Sequence, residues 1–365
     1  MTSNIDWALA RKVAGRFSAN EPFRSKALRE ELEADFETYT PQAQELVEAC
    51  TGLVSTAGQA TGAVITRADW VDANLVSFER LLRPITKQLS GHKIGSQVAG
   101  AELGAMLGWM STRVLGQYDL LLAEDETDPD ATNNNNDDNK NNTNDNKDGI
   151  VYYVAPNVLA LERRYAFDPK QFRLWLALHE VTHRAQFTGV PWMREHFLSL
   201  VHEVMDGLEA DPDRFVEGFR RMKQARERGE SPLDMGGLMA LFASSDQLAA
   251  MQRIGGLMSL LEGHGDVIMT RAGEGLVPSA ERFHKVMHNR RSSVRGFARF
   301  AQRLIGLEAK FKQYAEGENF LAAVEAAGGT ELFNRVWELP DNLPDLAEIR
   351  NPQGWISRVG MPVAA

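Results

Sequence analysis

The sequence predicts an α+β fold that is predominantly helical, with a small antiparallel sheet and an added helical region at the N-terminus. Three observations predict it. Apolar residues recur at three-and-four spacing through most of the chain, as in residues 66–89 (TRADWVDANLVSFERLLRPITKQL). Two short apolar runs, 118–122 (YDLLL) and 150–154 (IVYYV), have the length of strands rather than helices. Between these runs lies a stretch, 124–149, made almost entirely of Asn, Asp, Lys and Thr, too polar to bury anything.

The N-terminal helical region covers residues 1–117. Residues 24–39 are rich in Glu, Leu, Ala and Arg, which favour helix. Residues 98–116 come closest to a membrane span, but Glu102 and Arg113 interrupt them. Gly100, Gly104 and Gly108 share one helical face there and predict close helix packing instead. The rest, 118–365, is the expected catalytic region, with 124–149 as an insertion at the tip of an antiparallel hairpin between 118–122 and 150–154. Asn144, Asn146, Asp148 and Gly149 imitate the opening of a calcium loop. The twelfth position, however, is Ala155 where a bidentate Glu is needed.

Pro156 and Asn157 end the second run. Asp168, a favoured N-cap, and Pro169, suited to the first helical position, then announce a helix that stops at Gly189 with Pro191 beyond it. Later helices are expected at 192–208, 235–243, 245–270, 279–288, 294–314 and 319–327.

Composition narrows the function. The 365 residues carry a net charge of −10, so general binding to a phosphate backbone is not expected. The basic stretch Lys285, Arg290, Arg291, Arg295, Arg299 and Arg303 reads as the wet face of a helix. Cys50 is the single cysteine, which excludes an intramolecular disulfide and a thiolate metal cluster. The opening residues lack the apolar core of a secretion signal, so a cytoplasmic protein with neither nucleic-acid nor membrane partners is expected.

The chemistry is concentrated in the capped helix. His179-Glu180-Val181-Thr182-His183 matches H-E-x-x-H. Residues four apart lie on one helix face, so both imidazoles can reach one zinc ion, and Glu180 can take a proton from a zinc-bound water. The third ligand is sought in LLEGHGDVIM, residues 260–269, where Glu262 and Asp266 are four apart. Glu262 suits a ligand, and Asp266 an acceptor for the N–H of a metal-bound imidazole. His264 is the rival, about 200° around the helix from Glu262. Gly263 and Gly265 predict close approach to another helix.

Other patterns compete. His284 and His288 are four apart without a Glu after the first, and His202-Glu203 does not complete a second motif because position 206 is Asp. Glu180-x-x-His183 and Glu281-x-x-His284, with Glu203 and Glu262, make a set for a helical two-iron oxidoreductase. That alternative gives His179 and the strand pair no role. A further alternative is a non-catalytic scaffold with structural zinc, which would have no need of Glu180.

Segments 151–187, 257–269 and 303–338, and above all HEVTH combined with LLEGHGD, resemble a bacterial family of zincin-like metallopeptidases. The family is defined mainly as a domain of unknown function, and some members are associated by label with biosynthesis of a deazaflavin coenzyme. The 124–149 stretch departs from it. The resemblance implies a zincin-like core and one zinc held by His179, His183 and Glu262. It also implies Glu180 as base, Asp266 behind a ligand, and a peptide or other amide as substrate. The run IVYYV is expected to border the cleft and hold an extended substrate by main-chain pairing.

Overall fold

The computed structural model describes residues 5–19, 21–23, 25–86, 93–118, 120, 150–205, 244–292 and 313–360. The insertion at 124–149, the helices expected at 235–243 and over most of 294–314, and Arg295, Arg299 and Arg303 lie outside the described residues. The chain divides into two compact units: Met1–Gly189 with Ile268–Ala280, and Val190–Val267 with Glu281–Ala365.

In the first unit, α1 (Trp7–Ser18) is capped by Asp6, whose side chain accepts from the Leu9 N–H. It is followed by α2 (Lys26–Thr51), which runs through Pro41 and ends at Gly52 with a φ of 72°. After α3 (Arg67–Thr86), α4 (Lys93–Ser111) turns its glycine face to α1. A Cβ on Gly100 would stand 2.4 Å from the Asp6 carbonyl oxygen, and one on Gly104 2.3 Å from that of Ala10. The spacing therefore does what the sequence predicts: missing side chains let two backbones touch.

The sheet holds β1 (Thr61–Ile65), β2 (Gly116–Tyr118) and β3 (Ile150–Val154), in the order β1-β3-β2. β3 pairs antiparallel with β2, Gly116 facing Tyr153 and Tyr118 facing Val151. The expected antiparallel pairing is present at Gly116–Tyr118; of the expected run 118–122, residues 119, 121 and 122 lie outside the described residues. β1 pairs parallel with β3, Thr61 facing Ile150 and Ile65 facing Val154. This strand was not expected, because TGAVI is short and only Val64 in it is buried. It also corrects the role given to IVYYV. As the middle strand, β3 has its main chain paired on both sides and cannot take an added chain.

Tyr153 anchors the sheet. Its ring stacks on Phe36 of α2 at 3.6 Å, and its hydroxyl shares a 3.0 Å hydrogen bond with Thr40. Burial pushes this phenol's pKa far up, and the charge of Glu180 adds to the shift against the Thr40 hydrogen bond. Directly after β3 comes α5 (Ala155–Tyr165), with Pro156 in the first turn where a missing N–H costs nothing. Pro156 and Asn157 thus end a strand as read, and also begin a helix that was not read.

The helix α6 (Pro169–Thr188) begins and ends as the sequence predicts. Asp168 accepts from the Gln171 N–H at 2.9 Å, and Gly189 closes the helix. Buried residues surround its axis, among them Phe172, Leu174, Trp175, Leu176, Leu178 and Val181. Arg173, 1% exposed, fastens it by 2.9 and 3.0 Å hydrogen bonds to Glu162 of α5, with further bonds to Glu31 and Asp35 of α2. A buried guanidinium with this many carboxylate partners stays charged and fixes the helix in rotation as well as position.

The second unit contains α7 (Met193–Met205), most of α8 (Ser245–Ala272), α9 (Ala280–Ser292), α10 (Gln313–Asn334), α11 (Leu346–Arg350) and α12 (Pro352–Val359). A break at Gly328–Gly329 interrupts α10, Gly329 taking a φ of 71°. Where α8 meets α10, a Cβ on Gly263 would lie 2.3 Å from the Gly317 carbonyl carbon, the close approach predicted for Gly263. No described helix is long and apolar enough to cross a membrane.

Candidate metal centre

His179 and His183 lie one turn apart on α6, each half-buried in the first unit. Their Nε2 atoms stand 3.3 Å from each other, and their rings meet edge to face at 4.6 Å. A tetrahedral zinc with bonds of about 2.05 Å holds two nitrogens about 3.3 Å apart, so the pair has the spacing of two ligands to one ion.

Gln186, fully buried on the next turn, fixes the second imidazole. Its Oε1 accepts from Nδ1–H of His183 at 2.9 Å, which leaves Nε2 as the nitrogen with the lone pair. H-E-x-x-H ends at His183, so the motif gives no expectation for Gln186. The signal was present in the three-residue step that keeps it on the same helix face.

Glu180 is 7% exposed and sits against the outer strand β2. A Cβ on Gly116 would fall 2.7 Å from its Cγ, Cδ and Oε1. The missing side chain of a strand residue therefore makes the space in which this carboxylate lies. Nothing in the local sequence around Gly116 announces that duty, because its partner is distant in the chain.

In the second unit, Glu262 is half-buried on α8 and Asp266, 3% exposed, follows one turn later. The donor atom of Asp266 lies within 4.8 Å of those of His284 on α9 and Glu318 on α10. His264 is a core residue, 3% exposed, stacked on Phe333 at 5.6 Å and edge-on to Trp337 at 5.1 Å. That packing gives the rival ligand a structural role. Glu203, enlisted for the two-iron alternative, is paired with Arg253 on the surface, and His202 is exposed.

A family model described as zincin-like metallopeptidase matches residues 5–356. A crystal structure from Chloroflexus aurantiacus, described as that of a candidate hydrolase with a novel fold, is similar to the chain. Identity is 30% and the TM-score 0.71, over 98% of this chain and 100% of that one. No curated protein matches the chain.

Proposed function

The chain belongs to the zincin-like metallopeptidase family, which ranks it with hydrolases, and we propose that it is a zinc-dependent metallopeptidase with Glu180 as its general base. His179 and His183 supply two ligands and Glu262 the third, a donor set of two imidazoles and one carboxylate suited to catalytic zinc. Gln186 holds the His183 tautomer, and Asp266 is proposed as the acceptor for the N–H of the other imidazole. When bound, zinc polarises the scissile carbonyl and makes water acidic enough to lose a proton near neutral pH.

Glu180 takes that proton at its carboxylate as water attacks, then hands it to the leaving amine nitrogen. The substrate runs extended along Gly116–Tyr118, an outer strand whose first residue packs on the base. The cytoplasmic setting expected from the sequence belongs to the same proposal.

The observation that carries this reading is the 3.3 Å separation of two ring nitrogens on a fixed helix, one of them oriented by Gln186. The test is zinc content together with hydrolysis of a quenched-fluorescent peptide library by the full chain. Glu180→Gln is expected to keep zinc and lose about 10²–10⁴ in kcat. His183→Ala is expected to lose both zinc and activity. Zinc without any hydrolysis that Glu180→Gln alters would establish the scaffold instead, and two irons per chain would establish the oxidoreductase.

A further inference from the structure

We infer that the second unit carries a separate divalent-cation site, formed by Asp266 of α8, His284 of α9 and Glu318 of α10. Each residue offers one donor atom, and the three atoms lie within 4.8 Å of one another. Nε2 of His284 is 3.9 Å from Oε1 of Glu318. The inference does not depend on the catalytic reading, since it needs only one oxygen of Asp266 and none of the residues on α6.

The three donors come from three helices, and the packing explains why they meet. α8 and α10 touch backbone to backbone at Gly263 and Gly317, which places Glu318 beside α8 at the residue after the contact. α9 is anchored by Phe283, fully buried, so the next residue, His284, emerges at the edge of the core. The imidazole is backed by His288, whose ring lies 6.5 Å away at 20°. Asp266 itself is 3% exposed, which sets one ligand firmly.

The site is asymmetric. Neighbouring ligands of a first-row ion with bonds of about 2.0–2.2 Å stand roughly 3.0–3.5 Å apart, so the 3.9 Å between Nε2 of His284 and Oε1 of Glu318 must shorten slightly. His284 and Glu318 have side chains 38% and 36% exposed and can swing, whereas buried Asp266 cannot. One imidazole with two carboxylates suits zinc, manganese or ferrous iron better than calcium or magnesium, which prefer oxygen alone. The half-exposed side leaves room for water to complete the shell.

The ordinary alternative is a surface His284–Glu318 pair beside a buried Asp. Equilibrium dialysis of the metal-depleted full chain against Zn²⁺, with bound metal counted by mass spectrometry, decides between them. Two equivalents are expected for the natural sequence. His284→Ala and the nearly isosteric Glu318→Gln should each weaken one of them at least tenfold, with unchanged circular dichroism. His183→Ala should remove the other and leave this one intact. A single equivalent that His183→Ala abolishes would overturn the inference, as would a second equivalent indifferent to both His284→Ala and Glu318→Gln. Should His183→Ala leave two equivalents while His284→Ala leaves one, the catalytic reading fails and this site stands.

Discussion

The two histidine clusters of this chain are built on opposite principles. On α6, two donors share one helix, stand 3.3 Å apart, and one is locked by a buried amide 2.9 Å away. In the second unit three donors come from three helices, His284 and Glu318 stand 3.9 Å apart, and both of these side chains are half-exposed. The first arrangement is set before any ion arrives, since helix geometry supplies the spacing and burial supplies the orientation. The second must spend free energy drawing its donors together, and so it should bind more weakly and exchange faster. A chain that positions a catalytic group has reason to use the first kind.

The sharpest way to break this comparison is to disturb preorganisation without touching a ligand. Gly116→Ala should push the Glu180 carboxylate aside, because a Cβ has only 2.7 Å to its nearest atoms. Zinc content should stay the same while kcat falls about 10²-fold, the usual cost of misplacing a catalytic group by about 1 Å. Unchanged kcat would mean that the position of Glu180 against β2 is irrelevant to turnover.

A smaller effect is expected from Gln186→Leu, which removes the acceptor for Nδ1–H of His183. Zinc affinity should fall about 10–100-fold in a chelator competition, with the fold retained. The ion proposed for Asp266, His284 and Glu318 takes no ligand from α6, so the same measurement on it should not change.

The smallest effect concerns an imidazole outside both clusters. Burial lowers the pKa of His196 below its ordinary value, and the charge of Arg253 lowers it further. The folded protein thus holds this ring neutral where the unfolded chain would protonate it. The resulting stability is present above about pH 6.5 and is lost as pH falls from there towards the folded pKa. Urea midpoints at pH 7.5 and 5.5 should differ, and His196→Gln should narrow the difference slightly. No narrowing would mean that other groups account for the acid loss.

What could be read locally was read well. The cap at Asp168, the stop at Gly189 and the glycine face of α4 are short-range statements, made by residues within a few turns of one another. H-E-x-x-H is legible for the same reason: the α-helix itself converts a four-residue step into one face. Only the tertiary structure could decide that Thr61–Ile65 pairs with Ile150–Val154, which makes IVYYV a central strand. Only it could decide that Gly116 gives room to Glu180, or that Asp266, His284 and Glu318 converge. These contacts join residues far apart in sequence, and no local periodicity carries the choice of a distant partner. Sequence by itself determined which side chains share one helix face, and packing decided which of them are buried and held in place.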